Sequence, residues 1–262
     1  MDFRKVMLIV KKDILESSST ILPFVSMFVA LLFLTIFFVS AIYAFFQAAF
    51  VAVSFPSFAR NFNVNDMIVT PYMGFVAFLS VLIIPIIASK SFAQERKLKT
   101  IELLFTYPFK EIELVIGKMI STFLMYLMFL TFAMIYIIFF VVVYTVINKG
   151  TLDLGVIATG FLGLILIGAL IVSMSVFVST LTDEFFVAML ISLFLVLTFW
   201  LIGFTGDFTN PTYKNIVKAI SISTNFENLS KGVIDLKNIA YFIISIVLFT
   251  YLSIFSLTEN KG

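Results

Sequence analysis

Residues 89–118, SKSFAQERKLKTIELLFTYPFKEIELVIGK, lie between two long apolar runs and hold ten of the 32 formally charged side chains in the sequence. The first half reads as a short amphipathic helix, with Leu98, Ile101 and Phe105 at helical spacing and Gln94, Glu95, Arg96, Lys99 and Glu102 on the polar faces. Such a piece cannot sit in hydrocarbon. Pro108 then ends it, because the residue before a proline is pushed out of the α region, and Phe109 to Lys118 opens a helix that runs into the next apolar run. The segment is therefore expected to fold as helix, turn, helix at a membrane surface.

The rest of the chain follows from that anchor. Its 262 residues are 61% hydrophobic and 12% charged, with 34 Phe. A soluble domain is about half apolar and a quarter charged, so the composition is that of an all-α polytopic membrane protein. With neither His nor Cys in the sequence, imidazole bases, thiolate nucleophiles, disulfides and His or Cys metal ligands are excluded.

Residues 1–20 place Phe3, Val6, Met7, Val10 and Ile14 on one helical face and read as a helix lying in the interface. Residues 17–59 carry no charge, and a first span is expected within Ile21–Phe46. Six spans result: Ile21–Phe46, Tyr72–Ala88, Ile120–Tyr144, Leu154–Leu181, Phe185–Phe204 and Ile239–Leu257, each long enough to cross ~30 Å of hydrocarbon. Ser54–Pro71 reads as a loop. Gly160, Gly168, Ser175 and Ser179 fall on one face of the fourth span, where small residues let a neighbouring helix approach closely. Thr182, Asp183 and Glu184 form a tight turn before the fifth span, and Trp200 lies near the far end of that span, where an aromatic belt belongs.

Residues 206–238 raise the question of a seventh span. Ile216, Val217, Ile220, Ile222, Phe226, Leu229, Val233 and Ile234 would contribute about −2.4 to −4.8 kcal/mol to insertion, whereas Lys218 and Lys231 would cost about +5 to +7 kcal/mol near the bilayer centre. The segment is not expected to cross. Six spans put both termini on one side, and that side carries eleven of the 17 Lys and Arg residues. The positive-inside rule makes it cytoplasmic, in the cytoplasmic membrane.

The run Ser91–Lys118 resembles the first cytoplasmic loop of the permease subunits of ABC-2 type ATP-binding cassette exporters. Glu95, Arg96, Thr100, Ile101, Glu102, Leu103, Leu104, Pro108, Glu113, Gly117 and Lys118 match the family pattern. Many members carry Gly immediately before the Thr; this chain has Lys99, which lacks the freedom that a tight turn favours. Ser223–Phe242 is similar to the segment before the last span of the gliding-motility-associated branch. The resemblance implies a permease that forms a homodimer or a heterodimer with a second permease and recruits two copies of an ABC ATPase. It implies export, and short helices dipping into the outer leaflet over residues 205–238. ATP and Mg would be used by the partner, with no cofactor and no nucleic acid bound by this chain. Coupling to the ATPase would rest on Glu95, Arg96, Leu98, Thr100, Ile101, Glu102, Leu103, Phe105 and Asp183, with Glu95 to Leu104 as a docked helix.

The distribution of charge points the same way on energy. The expected spans lack charge, which disfavours ion-driven coupling. Gly117-Lys118 is followed by Met119 with no earlier Gly at the spacing of a phosphate-binding loop, so this chain is not the ATPase. Neither HExxH nor paired intramembrane Asp is present, so it does not read as a protease. A polytopic anchor or scaffold for a cytosolic complex remains the alternative; solute movement coupled to ATP hydrolysis distinguishes the two.

Overall fold

The computed structural model describes residues 2–54, 64–100, 109–148, 152–205 and 211–259, and these residues are helical almost throughout. In chain order the α-helices are α1 (Phe3–Ser19), α2 (Ile21–Ser54), α3 (Thr70–Ala88), α4 (Lys90–Lys97), α5 (Glu111–Asn148), α6 (Leu154–Leu181), α7 (Phe185–Thr205), α8 (Pro211–Ile220), α9 (Ile222–Ser230) and α10 (Leu236–Glu259). Six are long and apolar enough to cross a membrane. The protein is an all-α, multi-pass membrane protein.

The helices divide by burial. Two-thirds or more of the apolar windows of α3 and α6 are buried inside the protein, against about a fifth of those of α2, α7 and α10. Helix α6 is the axis: it packs against α3, α4, α5, α7, α9 and α10. Its glycines permit this. A Cβ on Gly168 would lie 2.0 Å from a ring carbon of Tyr126 on α5, and one on Gly163 would lie 2.9 Å from the Phe226 ring on α9. Tyr126 uses the close approach to donate its hydroxyl to the Leu164 carbonyl at 3.0 Å. In hydrocarbon such buried polar groups need a protein partner, and Tyr72 likewise donates to the Ala133 carbonyl at 2.5 Å.

One boundary differs from the sequence reading. Ser54–Pro71 was expected to be loop throughout, but Asn65–Val69 forms a π-helical turn that leads directly into α3, with Pro71 in the first turn of that helix. Proline is well tolerated there, because the missing N–H would have no intrahelical partner. Helix α5 begins at Glu111, close to the Phe109 start read from the sequence, and runs without a break into the third span; within it Glu113 and Lys118 find partners that the local sequence does not display. In the segment between the fifth and sixth spans, α8 and α9 are two short helices that meet near residue 221.

Helix α1 does not simply lie free on a surface. Val6, Ile9 and Val10 are buried where α1 packs along the base of α5. A Cβ on Gly117 would come within 2.8 Å of Ile9 Cγ2, so the absent side chain sets the spacing of the two helices. Their starts are also tied, because the Asp2 N–H donates to Glu113 Oε1 at 2.7 Å.

Candidate functional site

Helix α4 is the point at which the base of the bundle converges, and its residues explain how it is held. A helix start leaves backbone N–H groups without intrahelical partners. On α4 two of these are met from a distance: Ser179 Oγ, on α6, accepts from the N–H groups of Phe92 at 2.9 Å and Ala93 at 3.0 Å, and donates to the Ser89 carbonyl at 3.1 Å. One hydroxyl from the central helix thus caps α4. The Ser89 hydroxyl lies 3.3 Å from that of Ser192 on α7.

The far end of α4 terminates by backbone geometry. The Thr100 N–H bonds to the Glu95 carbonyl and the Lys99 N–H to the Arg96 carbonyl, both at 3.0 Å, with Lys99 at φ +56°. This is a Schellman motif, which places a left-handed residue just beyond the helix. The expected continuous helix from Glu95 to Leu104 is therefore corrected: it ends at Lys97, and Leu98 to Thr100 turn away from its axis. The tight turn forms even with lysine at the position where glycine is favoured. The same motif closes α9, where Gly232 at φ +88° occupies the left-handed position.

Between these ends lies a buried ion-pair network that joins three helices. Glu95 Oε1 is 2.6 Å from Lys12 Nζ of α1, and Glu95 Oε2 is 2.9 Å from Lys118 Nζ of α5. Lys118 also lies 3.5 Å from Asp13 Oδ2, donates to the Ser91 carbonyl at 2.5 Å, and sits 5.0 Å from the Phe92 ring centroid. Ser121 donates to Asp13 Oδ2 at 3.3 Å. Glu95 and Lys118 are 4% and 2% exposed, so each charge depends on the other for solvation. Burial pushes the Asp13 carboxyl above its ordinary range, Lys118 offsets this in part, and the Glu95 charge pushes it further. For Lys12, burial works against the charged form, but the hydrogen bond and charge of Glu95 outweigh it and hold its pKa above the usual lysine value.

Glu95, expected to orient a partner, is instead turned inward. Arg96 and Asp183, expected on the same coupling surface, meet each other at 3.4 Å, with the Asp183 side chain 77% exposed. Leu98 is 61% exposed and stands at the tip of the turn between exposed Lys97 and Lys99; Thr100 is half-buried and its hydroxyl donates to the Glu95 carbonyl at 3.2 Å. Ile101, Glu102, Leu103 and Phe105 lie outside the described residues. Gly168 and Ser179 meet α5 and α4 as given above, while Gly160 faces Met73 of α3. Ser175 is fully buried, with no hydrogen-bond partner for its hydroxyl among the described residues. The small-residue face of α6 thus serves several neighbours.

Sequence reasoning missed Lys12, Asp13 and Lys118 as a unit. A signal was present: Asp13 continues the stripe of Val6, Ile9 and Val10, and a carboxylate on an apolar stripe calls for a buried cation. Asp13, Glu16 and Glu95 bring carboxylate oxygens within 4.8 Å of one another, yet Lys12 and Lys118 already supply the countercharge, which makes the arrangement an ion-pair network.

A family model for ABC-2 family transporter proteins matches residues 7–261. The chain belongs to the ABC-2 transporter family. No match to a curated protein was found. The family match covers α1 from Met7 onward and all six spans, and so extends over the whole network that holds α4 in this ABC-2 protein. It carries no support for a gliding-motility-associated branch.

Proposed function

We propose that this ABC-2 protein is the permease subunit of an ATP-binding cassette exporter, with both termini and α4 on the cytoplasmic side of the cytoplasmic membrane. In this reading it dimerises with itself or a related permease and receives work from two ATPase copies, which bind and hydrolyse ATP with Mg; the chain itself holds no nucleotide. The observation that carries the reading is the way α4 is built. It is short, displays an exposed Leu98 flanked by two lysines, and is fastened to α1, α5 and α6 by the buried carboxylate of Glu95 and the capping hydroxyl of Ser179. Force applied at Leu98 reaches the spans through groups that cannot separate cheaply, because parting a buried ion pair strands a charge in a poor solvent.

The roles within the segment follow. Leu98 enters a groove on the ATPase and Thr100 follows the turn, with Ile101, Glu102, Leu103 and Phe105 continuing the contact. Arg96 and Asp183 brace the turn against the α6–α7 connection, and Glu95 transmits rather than recognises. A coupled permease moves as α3 and α5 tilt, since α5 carries Lys118 of the network and α3 leads through Ser89 into α4. The test is Leu98→Asp, a change confined to an exposed tip. Loss of ATPase copurification and of substrate-linked hydrolysis, with an unchanged melting temperature, is the expected result. Retention of both would refute the docking role, and a chain that still assembled but moved no solute would favour an anchor.

A further inference from the structure

Helix α1 has a second face that the bundle does not use. Val6, Ile9 and Val10 are buried along α5, and Asp13 turns with them toward Lys118 and Ser121. Away from this seam, Arg4, Leu8, Lys11 and Leu15 recur at helical spacing and form a single stripe. All four are exposed, Leu8 and Leu15 at 62%, and Phe3 and Met7 alongside them are 70% and 53% exposed. A lone surface leucine is ordinary, but large apolar side chains gathered on one face of a 17-residue helix mark a surface that meets something.

The charge on this face is unmatched. Among the described residues neither the Arg4 nor the Lys11 side chain has a hydrogen bond or an ion pair. The acids of the segment are engaged elsewhere: Asp2 caps the helix by accepting from the Arg4 N–H at 3.0 Å, Asp13 faces Lys118, and Glu16 lies 3.8 Å from Lys12. The stripe is therefore apolar and positive, with no carboxylate in it. Its height is also fixed, because only Thr20, in extended conformation, separates α1 from the first span. Lys90 holds that corner by donating to the Thr20 hydroxyl at 3.1 Å. We infer that the outer face of α1 seats on an acidic membrane surface, with Arg4 and Lys11 at the heads of anionic phospholipids and Phe3, Met7, Leu8 and Leu15 in the boundary between heads and acyl chains. A soluble acidic partner would match only the cations, and hydrocarbon only the apolar groups. The inference stands apart from the permease reading, because lipid contact in a symmetric bilayer depends on neither transport nor sidedness.

Trp200 is the single tryptophan of the chain, so Trp200→Phe combined with Leu8→Trp moves the only indole to the centre of the stripe and keeps that position apolar. The full chain is reconstituted in phosphatidylcholine bilayers with rising fractions of dibromophosphatidylglycerol or of dibromophosphatidylcholine, whose bromines quench tryptophan at short range. The anionic lipid is expected to reach half-maximal quenching at about fivefold lower mole fraction, the factor for roughly one cation acting on one acidic head. Arg4→Gln with Lys11→Gln is expected to equalise the two lipids while quenching by dibromophosphatidylcholine persists, and molar NaCl to do the same by screening. Equal quenching by the two lipids at low salt, or a preference that survives both the double substitution and high salt, would overturn the inference. Absence of quenching by either lipid would overturn it by assigning the face to a protein, either the ATPase or a second copy of this chain. Loss of the preference to millimolar inorganic phosphate at constant ionic strength would overturn it by assigning the cations to a free anion. Should the double substitution lower the melting temperature, the salt comparison on the chain that retains Arg4 and Lys11 decides alone.

Discussion

At the scale of single residues, the buried network ranks its own members. Glu95 touches both Lys12 and Lys118, so Glu95→Gln takes the nearer carboxylate from the buried Lys118 ammonium and leaves it Asp13 at 3.5 Å, and is expected to cost about 3 kcal/mol of stability, measured by thermal or denaturant unfolding in a fixed detergent. Asp13 behaves differently. Its carboxyl is held above the ordinary value of 3.8 chiefly by burial, and a raised acid favours the folded state in its protonated form. That contribution is present below 3.8 and is lost as pH rises through the raised value. Asp13→Asn, which mimics the protonated state, is therefore expected to match or exceed the parent's melting temperature at pH 7, with the advantage vanishing near pH 3.5. Lys12 has the opposite window: its raised pKa means that its stabilising contribution persists below 10.5 and is lost as alkaline pH passes the folded value. Lys99 offers a gain. A non-glycine left-handed residue costs roughly 1 kcal/mol, so Lys99→Gly is expected to raise stability by about that amount. The motif of charged residues around position 95 was legible in the sequence, but its direction was not, since Lys12 lies 83 residues away from Glu95 and no local pattern reveals such a pairing.

At the scale of elements, the long helices were legible because an apolar run of sufficient length admits one outcome in a bilayer. Leu154–Leu181 has the same limits in the sequence reading and in the structure. The shorter elements were harder. Leu98, Ile101 and Phe105 have helical spacing, yet the backbone turns left-handed at Lys99, and periodicity cannot see a terminating motif that uses an unfavoured residue. Similarly, proline and asparagine around Pro71 suggested loop, whereas proline in the first turn is compatible with a helix start. The seating of α1 is the element-scale prediction. Gly117 lies against the branched Ile9, whose Cβ is 2.9 Å from where a new Cβ would sit and cannot swing aside. Gly117→Leu is expected to destabilise by about 1–3 kcal/mol and to increase protease access to the α1–α2 junction, measured by limited proteolysis.

At the scale of the whole molecule, the division into a buried pair, α3 and α6, and a largely exposed set, α2, α7 and α10, was not readable from hydropathy, because all six runs are similarly apolar. Burial here follows contact, and contact follows the small residues of α6 and its hydroxyl partners. The absence of cysteine from the sequence allows sidedness to be measured directly. Lys97→Cys and Asn228→Cys each place one thiol on an exposed position at opposite faces. In intact cells an impermeant maleimide is expected to label the second and spare the first, and the reverse pattern would invert the proposed orientation.

The threefold junction at Lys118 also dictates an order of biosynthesis. Lys12 leaves the ribosome 83 residues before Glu95, and chains emerge from their N-terminus at a few residues per second or faster. The first helix must therefore wait, undocked, while two spans are inserted behind it. Asp13 keeps its neighbour Lys12 at 4.0 Å, but its closer partner, the Lys118 ammonium at 3.5 Å, arrives only with the third span, so this joint closes late.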